Sequence, residues 1–276
     1  MKHAYAHCHR IDPTFRDALE SLLGVIRAHR FGHDGAEETT STGGTEADVL
    51  AAIEREAAAV HERLSHENDV FPVEFLGATG SGKTALVEAL LERRPDDERA
   101  AVIVGDVAGD DDARRYRDHG VAVADVTTGK DCHLDPARVD SAIDELDLGS
   151  LDTLFLENVG NMVCPADFPL GATLRVVVVS ATEGDDVVRK HPLLFQACDL
   201  AVINKTDIAD AVGADVERMC RDVESVAPEI PVLTTSAKAD SGIERLRERL
   251  ESRRERHGRS HDHRHGIERN VDGHRN

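Results

Sequence analysis

One octapeptide constrains this chain more than any other stretch. Gly77-Ala-Thr-Gly80-Ser81-Gly82-Lys83-Thr84 follows the apolar run FPVEFL and opens the helical pattern ALVEALLERR. It fits GxxxxGK[ST] in the strand–loop–helix setting that the pattern requires. Glycines let backbone N–H groups converge on phosphate oxygens, and a helix N-terminus adds the positive end of its dipole. Lys83 is then placed to reach β- and γ-phosphates, and the Thr84 hydroxyl to ligate Mg²⁺. The alternative is a glycine-rich turn that binds nothing, and the apolar run and helix on either side weigh against it. The loop alone does not separate ATP from GTP, or a hydrolase from a kinase.

From about residue 70, short apolar runs alternate with helical patterns. Strands are predicted at 71–76, 101–105, 121–127, 153–157, 174–180, 200–203 and 231–235, and helices at 83–93, 110–118, 136–146, 213–226 and 242–256. Such alternation predicts an α/β fold: a mostly parallel, roughly seven-stranded sheet flanked by helices, with ligand loops at the carboxyl ends of the strands. Further helices are predicted ahead of it. In residues 1–32, Phe15, Leu19, Leu22, Leu23 and Ile26 recur at helical spacing, and a second helical pattern covers 46–66. The expected organisation is an N-terminal segment (1–32), a flexible linker (33–47), a nucleotide-binding domain with its leading helix (48–256) and a histidine-rich disordered tail (257–276).

Base selection follows from a second pair of loops. Asn204-Lys205-Thr206-Asp207 comes after the apolar run LAVI, and Ser236-Ala237-Lys238 ends the next strand candidate. An aspartate at position 207 can accept from both N1–H and the exocyclic amine of guanine. Adenine offers neither donor there, and leaving a desolvated carboxylate unpaired costs about 1–3 kcal/mol or more. The Lys205 stem can lie along the ring face, Asn204 can tie neighbouring loops, and backbone N–H groups at 236–238 can meet guanine O6. Each motif is weak alone, but in this order after a phosphate loop they select guanine.

Between these loops lies Glu157-Asn158-Val159-Gly160, a carboxylate at a strand end with a glycine three residues on. This pattern suits a sensor of Mg²⁺ and γ-phosphate, with Gly160 offering its N–H. Asp106, ending AVIVGD, is a second strand-end acid, able to bind Mg²⁺ through water or to orient the attacking water; its alternative role is a helix N-cap. Cys132-His133 and Cys164 flank this region. Thiolates with an imidazole suit Zn²⁺ or Ni²⁺, although the two cysteines taken alone read more readily as buried thiols. Lying so close to the sensor, a metal held there would respond to nucleotide state. Cys198 and Cys220 read as core residues.

Composition narrows the classes. The 276 residues hold 53 acids against 33 bases, a net charge of −20. That balance argues against nucleic-acid binding, which needs a basic footprint. No apolar run approaches the roughly 18 residues of a membrane span, and the opening MKHAYAHCHR lacks the apolar core of a signal peptide, so a cytoplasmic location is expected. Acids spread along the chain, with six lysines to 27 arginines, read as a surface adapted to concentrated salt, hence a halophile. Eight of the 15 histidines fall within the first ten and last twenty residues. His3, His7, Cys8 and His9 could form a Ni²⁺ site, and the tail could store metal. Both clusters read equally as incidental polar ends.

Taken together, these residues resemble the HypB family, the nickel-incorporation GTPases of [NiFe]-hydrogenase maturation, which are P-loop NTPases of the SIMIBI class. The shared text is GATGSGKT, GDV (105–107), TGKDCHLDP (128–136), LFLENVGNMVCPADFPLG (154–171), VVSATEGDD (178–186) and INKTD (203–207), spread over about residues 70–250. The resemblance implies that Cys132, His133 and Cys164 are ligands for Ni²⁺ or Zn²⁺, and that Thr84, Asp106 and Glu157 occupy the Mg²⁺ and hydrolysis positions. It also implies slow GTP hydrolysis to GDP, a homodimer formed when GTP is bound with metal held at or near its interface, a HypA-like zinc protein as partner, and the hydrogenase large subunit as recipient. The urease accessory GTPase UreG is a neighbouring family, but there the metal motif is CPH rather than the adjacent CH found here, and ENVGN is missing. Service to urease, or a role mainly in nickel storage, are the alternatives. Many HypB proteins begin with CxxCGC, whereas this chain begins with the His3–His9 cluster.

Overall fold

A computed structural model describes residues 46–106, 109–129 and 133–271, with side chains described as far as residue 258. The chain divides into two compact units, Met1–Ala51 and Ala52–Asn276. Of the first, only the helical residues 46–51 are described; the helix expected within 1–32 and the linker up to residue 45 lie outside the described residues.

Seven strands make one sheet in the order β3-β2-β4-β1-β5-β6-β7, and every neighbouring pair is parallel. They are β1 (Phe71–Leu76), β2 (Ala100–Asp106), β3 (Ala122–Thr127), β4 (Thr153–Glu157), β5 (Leu174–Ser180), β6 (Leu200–Asn204) and β7 (Val232–Thr234). The five inner strands are buried almost throughout, as parallel strands covered on both faces must be. Edge strands β3 and β7 are more exposed.

Helices cover both faces. They are α1 (Glu46–His61), α2 (Lys83–Leu91), α3 (Asp111–Asp118), α4 (Pro136–Ile143), α5 (Val187–Lys190), α6 (Pro192–Gln196), α7 (Ala209–Val212), α8 (Val216–Val226) and α9 (Ile243–Val271). On one face Leu86, Val87 and Leu90 of α2 meet Val73, Val102 and Val176, with Leu246 and Leu250 of α9 in the same cluster. On the other, Val60, Leu64, Leu134, Val139 and Ile143 pack over Ile103, Leu154 and Leu156, while Met219 and Val223 of α8 cover Val177 and Ile203. Each such side chain contributes about 1.5–3 kcal/mol. No described helix is long and apolar enough to cross a membrane.

Two helical expectations change. The stretch 257–271, expected as a disordered tail, continues α9 to Val271. Its three arginines are good helix formers, and no proline interrupts it. The short helices α5, α6 and α7 were not foreseen, because four or five residues are too few to display a period.

Register places the ends of the inner strands together. Phe75 and Val104 both pair with Glu157, and Ser180 pairs with Asn204. The loops that leave β1, β2, β4, β5 and β6 therefore gather along one edge of the sheet.

Candidate functional site

The phosphate loop turns out of β1 on glycines in the left-handed region: φ is 141° at Gly77, 78° at Gly80 and 97° at Gly82. A Cβ at Gly77 would lie 2.0 Å from the Val178 carbonyl oxygen, and one at Gly82 would lie 2.3 Å from Asn204 Nδ2, so neither position admits a side chain. Lys83 heads α2 and is buried; its Nζ donates to the carbonyls of Gly77 and Ala78, each at 3.2 Å. Burial lowers its pKa, against the pull of the Glu157 charge. Ser81 Oγ is buried without a hydrogen-bond partner. An orphan hydroxyl inside a ring of backbone N–H groups suits an incoming phosphate oxygen.

Beside the loop, Glu157 closes β4 with 4% of its surface exposed. One carboxylate oxygen accepts from Thr84 Oγ1 at 2.9 Å, and the other accepts from the Tyr116 hydroxyl of α3. Burial pushes Glu157 up from the usual carboxylate range, while Lys83, Tyr116 and Thr84 oppose that shift. Burial and the Glu157 charge together push the Tyr116 hydroxyl well up. Asp106 ends β2, two residues beyond the partner of Glu157 in the ladder. It does not start a helix, since α3 has Asp110 at its N-cap. Thr84, Glu157 and Asp106 thus supply hard oxygen donors along one edge, a set that fits Mg²⁺.

The sensor segment leans on the phosphate loop. Asn161 N–H donates to the Gly77 carbonyl at 3.0 Å. A Cβ at Gly160 would stand 2.1 Å from Thr79 Oγ1 and 2.6 Å from Thr79 N, so only glycine allows this approach.

At the far side, Asn204 Nδ2 donates to the Ser81 carbonyl at 3.0 Å, and Lys205 Nζ donates to the Gly80 carbonyl at 2.6 Å. Thr235 Oγ1 donates to Asn204 Oδ1 at 3.1 Å. Asp207 is exposed, and Ser236 Oγ holds its Oδ1 at 2.5 Å. Ala237 and Lys238 follow in the same turn, where Ala239 N–H returns to Ser236 Oγ. One carboxylate oxygen of Asp207 is thereby oriented, and the loop is joined to the phosphate loop through two side chains.

Of the metal candidates, Cys132 and the cluster His3, His7, Cys8 and His9 lie outside the described residues. His133 is buried, its ring stacked on Phe168 with centroids 4.3 Å apart and planes at 23°. Cys164 is half-buried and opens the turn Cys164–Ala166, four residues before Phe168. The stack brings together two loops that are 31 positions apart in sequence between His133 and Cys164. An imidazole and a thiol suit Ni²⁺ or Zn²⁺. Among the described residues, no group of three or more His, Cys, Asp or Glu side chains is arranged to hold a metal. Cys198 is buried, and burial pushes its thiol far up, away from thiolate chemistry at neutral pH.

Several residues of this region escaped the sequence reading. Tyr116 sits in the charged stretch DDARRYRD and gives no signal there. Phe168 lies within CPADF. Glu74 was the most legible of them, as the single charge inside the apolar run FPVEFL.

Residues 73–234 match the nucleotide-binding domain of the CobW/HypB/UreG family. A probable hydrogenase maturation factor HypB from Methanocaldococcus jannaschii is 45% identical over 204 residues, covering 74% of this chain and 92% of that protein. A hydrogenase/urease maturation factor HypB from Helicobacter pylori is 35% identical over 218 residues, covering 77% of this chain and 89% of that protein. The crystal structure of HypB from Helicobacter pylori in complex with nickel superposes with a TM-score of 0.70 at 34% identity, over 75% of this chain and 97% of that one.

Proposed function

This chain belongs to the HypB family of hydrogenase maturation factors, and on that premise we propose that it is a GTP-hydrolysing nickel chaperone whose metal loops are gated by the nucleotide. One observation carries the reading: the segment Glu157–Asn161 touches both sites. On one side it meets Thr84 and Gly77 of the phosphate loop. On the other, Asn158 Oδ1 accepts the backbone N–H of Leu134, next to His133, at 3.0 Å, and Cys164 follows Gly160 by four residues.

In this reading Asp207 selects guanine, with Ser236 fixing the carboxylate and Lys205 covering the base. Lys83 and the N–H groups of the loop hold the phosphates. Mg²⁺ would be held by Thr84, Asp106 and Glu157 and would supply charge neutralisation to the phosphates. When GTP binds, Glu157 leaves its bond with Thr84, and Gly160 turns its N–H toward the γ-phosphate. The movement is passed to His133 and Cys164, which with Cys132 hold the Ni²⁺ cargo, or Zn²⁺ in its place. No glutamine or arginine stands out from the sequence as a catalytic finger, so slow intrinsic hydrolysis is part of the proposal. A GTP-dependent homodimer, a HypA-like zinc protein that exchanges metal and the hydrogenase large subunit as recipient complete the proposal. The H. pylori relative named for both enzymes supports urease as a second recipient.

The test is Ni²⁺ release to a chromogenic chelator from the full chain with GTP, with a non-hydrolysable analogue and with GDP. Release that follows hydrolysis supports gating, and equal rates in all three states overturn it. The clustering of histidines near both ends favours storage as a second reading. Storage predicts several Ni²⁺ lost when residues 257–276 are removed, whereas a gated chaperone retains about one ion per chain.

A further inference from the structure

Glu74 lies in the middle of β1 with none of its surface exposed. Its two carboxylate oxygens serve different neighbours. Oε1 accepts from Asn158 Nδ2 at 2.9 Å, and Asn158 Oδ1 accepts the N–H of Leu134, the residue after His133, at 3.0 Å. Oε2 accepts from Arg175 Nε at 2.9 Å, and Arg175 Nη2 donates to the carbonyl of Pro165, the residue after Cys164. The remaining arm of the guanidinium, Nη1, donates to the Ala197 carbonyl at 2.8 Å. One buried carboxylate thus extends two arms, each ending one residue from a proposed cargo ligand.

The choice of side chains is informative. Taking a carboxylate and a guanidinium out of water costs several kcal/mol per ion, and apolar residues would fill the same space with equal or better stability. What the pair adds is direction, because the guanidinium fork fixes three N–H vectors at once. Burial alone would lower the Arg175 pKa, but the charge and hydrogen bond of Glu74, together with the neighbouring Cys198 and Asp199, outweigh it and hold the guanidinium protonated. The Asn158 amide is equally committed: Oδ1 takes two backbone N–H donors, from Leu134 and Val159, while Nδ2 faces the carboxylate.

We propose that Glu74, acting through Asn158 and Arg175, is the positioning group that sets the span between His133 and Cys164. Asn158 directly follows Glu157, so the same clamp joins the metal loops to the nucleotide sensor. The inference rests on reading His133 and Cys164 as cargo ligands. Outer-sphere partners of this kind are typically worth about 10–100-fold in metal affinity.

The experiment measures Ni²⁺ affinity and the thiolate-to-Ni²⁺ absorption band of the full chain, beside its affinity for mant-GDP. Arg175→Lys keeps a cation opposite Glu74 but removes the donor to Pro165, and Asn158→Ala removes the tie to Leu134. Each is expected to weaken Ni²⁺ by about 10–100-fold and to shift the band, with mant-GDP affinity unchanged in Arg175→Lys. Arg175→Lys should add nothing further in a Cys164→Ala background. If Cys164→Ala itself leaves Ni²⁺ affinity intact, the cargo reading falls and this inference with it. If Cys164→Ala weakens Ni²⁺ while Arg175→Lys and Asn158→Ala do not, only the clamp is overturned. Should Arg175→Lys fail to fold, Glu74→Gln/Arg175→Gln leaves no unpaired buried charge and is judged by the same readouts.

Discussion

Thr84, the last residue of the phosphate loop, donates its hydroxyl to Glu157, the last residue of β4, at 2.9 Å. The two residues are 73 positions apart, and each is a proposed Mg²⁺ ligand, so the bond joins the two halves of one cation site. It also helps hold a carboxylate that burial makes costly to ionise.

That cost gives a signed prediction for Glu157→Gln. Burial raises the folded-state pKa of Glu157 above the ordinary 4.5. The penalty is therefore absent below about pH 4.5 and grows as pH rises through the folded value. The substitution should raise the melting temperature of nucleotide-free protein at pH 7.5, by roughly 2–4 °C for each kcal/mol relieved, and the gain should vanish near pH 4.5. Hydrolysis should fall by about 100-fold or more, the scale of losing one preorganised electrostatic group. Differential scanning calorimetry across pH and single-turnover GTP hydrolysis check both halves.

Tyr116→Phe should act with the opposite sign. It removes the donor to the second oxygen of the same carboxylate, at a cost of about 1–3 kcal/mol. The loss should be largest at pH 7–8 and shrink toward pH 4.5, where Glu157 is protonated and needs fewer donors. Urea denaturation at the two pH values measures it. A Tyr116→Phe change made on top of Glu157→Gln should cost much less, because no charge remains to be satisfied.

Asp207 invites a change of base preference. Guanine presents N1–H and an amine to the carboxylate, and xanthine replaces the amine with a carbonyl. Asp207→Asn swaps one acceptor for a donor, so it should weaken GTP by about 100-fold and favour xanthosine triphosphate over GTP. Ser236→Ala, which frees the Asp207 carboxylate, should cost a milder tenfold or so, about 1.4 kcal/mol. Competition titrations with the two nucleotides decide it; an Asp207→Asn protein that still prefers GTP would place the base elsewhere.

The sheet was legible in the sequence because each buried parallel strand is a short, largely apolar run that breaks sharply at a polar residue or glycine, as at Gly77, Asp106, Glu157, Ser180 and Asn204. The phosphate and guanine loops were legible because their chemistry needs fixed residue types at fixed spacing. The clamp from Glu74 was not, since Glu74, Asn158 and Arg175 meet only when β1, β4 and β5 lie side by side. Tyr116 was hidden for the same reason: its partner Glu157 is 41 residues away and shares no local pattern with it. The helical continuation through 257–271 was not legible because the stretch has no apolar periodicity, although its three arginines favour helix and no proline interrupts it.

Gly160 offers the sharpest test of how the sensor meets the phosphate loop. A Cβ there would come within 2.1 Å of Thr79 Oγ1 and 2.6 Å of Thr79 N. The hydroxyl could rotate away, but the backbone nitrogen could not, so the whole 158–161 loop must withdraw. Gly160→Ala should therefore keep GDP, whose base and loop contacts lie elsewhere, while slowing GTP hydrolysis by at least about tenfold, or ~1.4 kcal/mol. Adding Thr79→Ala removes the hydroxyl and leaves the backbone clash, so it should not restore the rate. Mant-GDP titration beside single-turnover hydrolysis measures both quantities; rescue by Thr79→Ala would mean that the side chain, not the backbone, sets the contact.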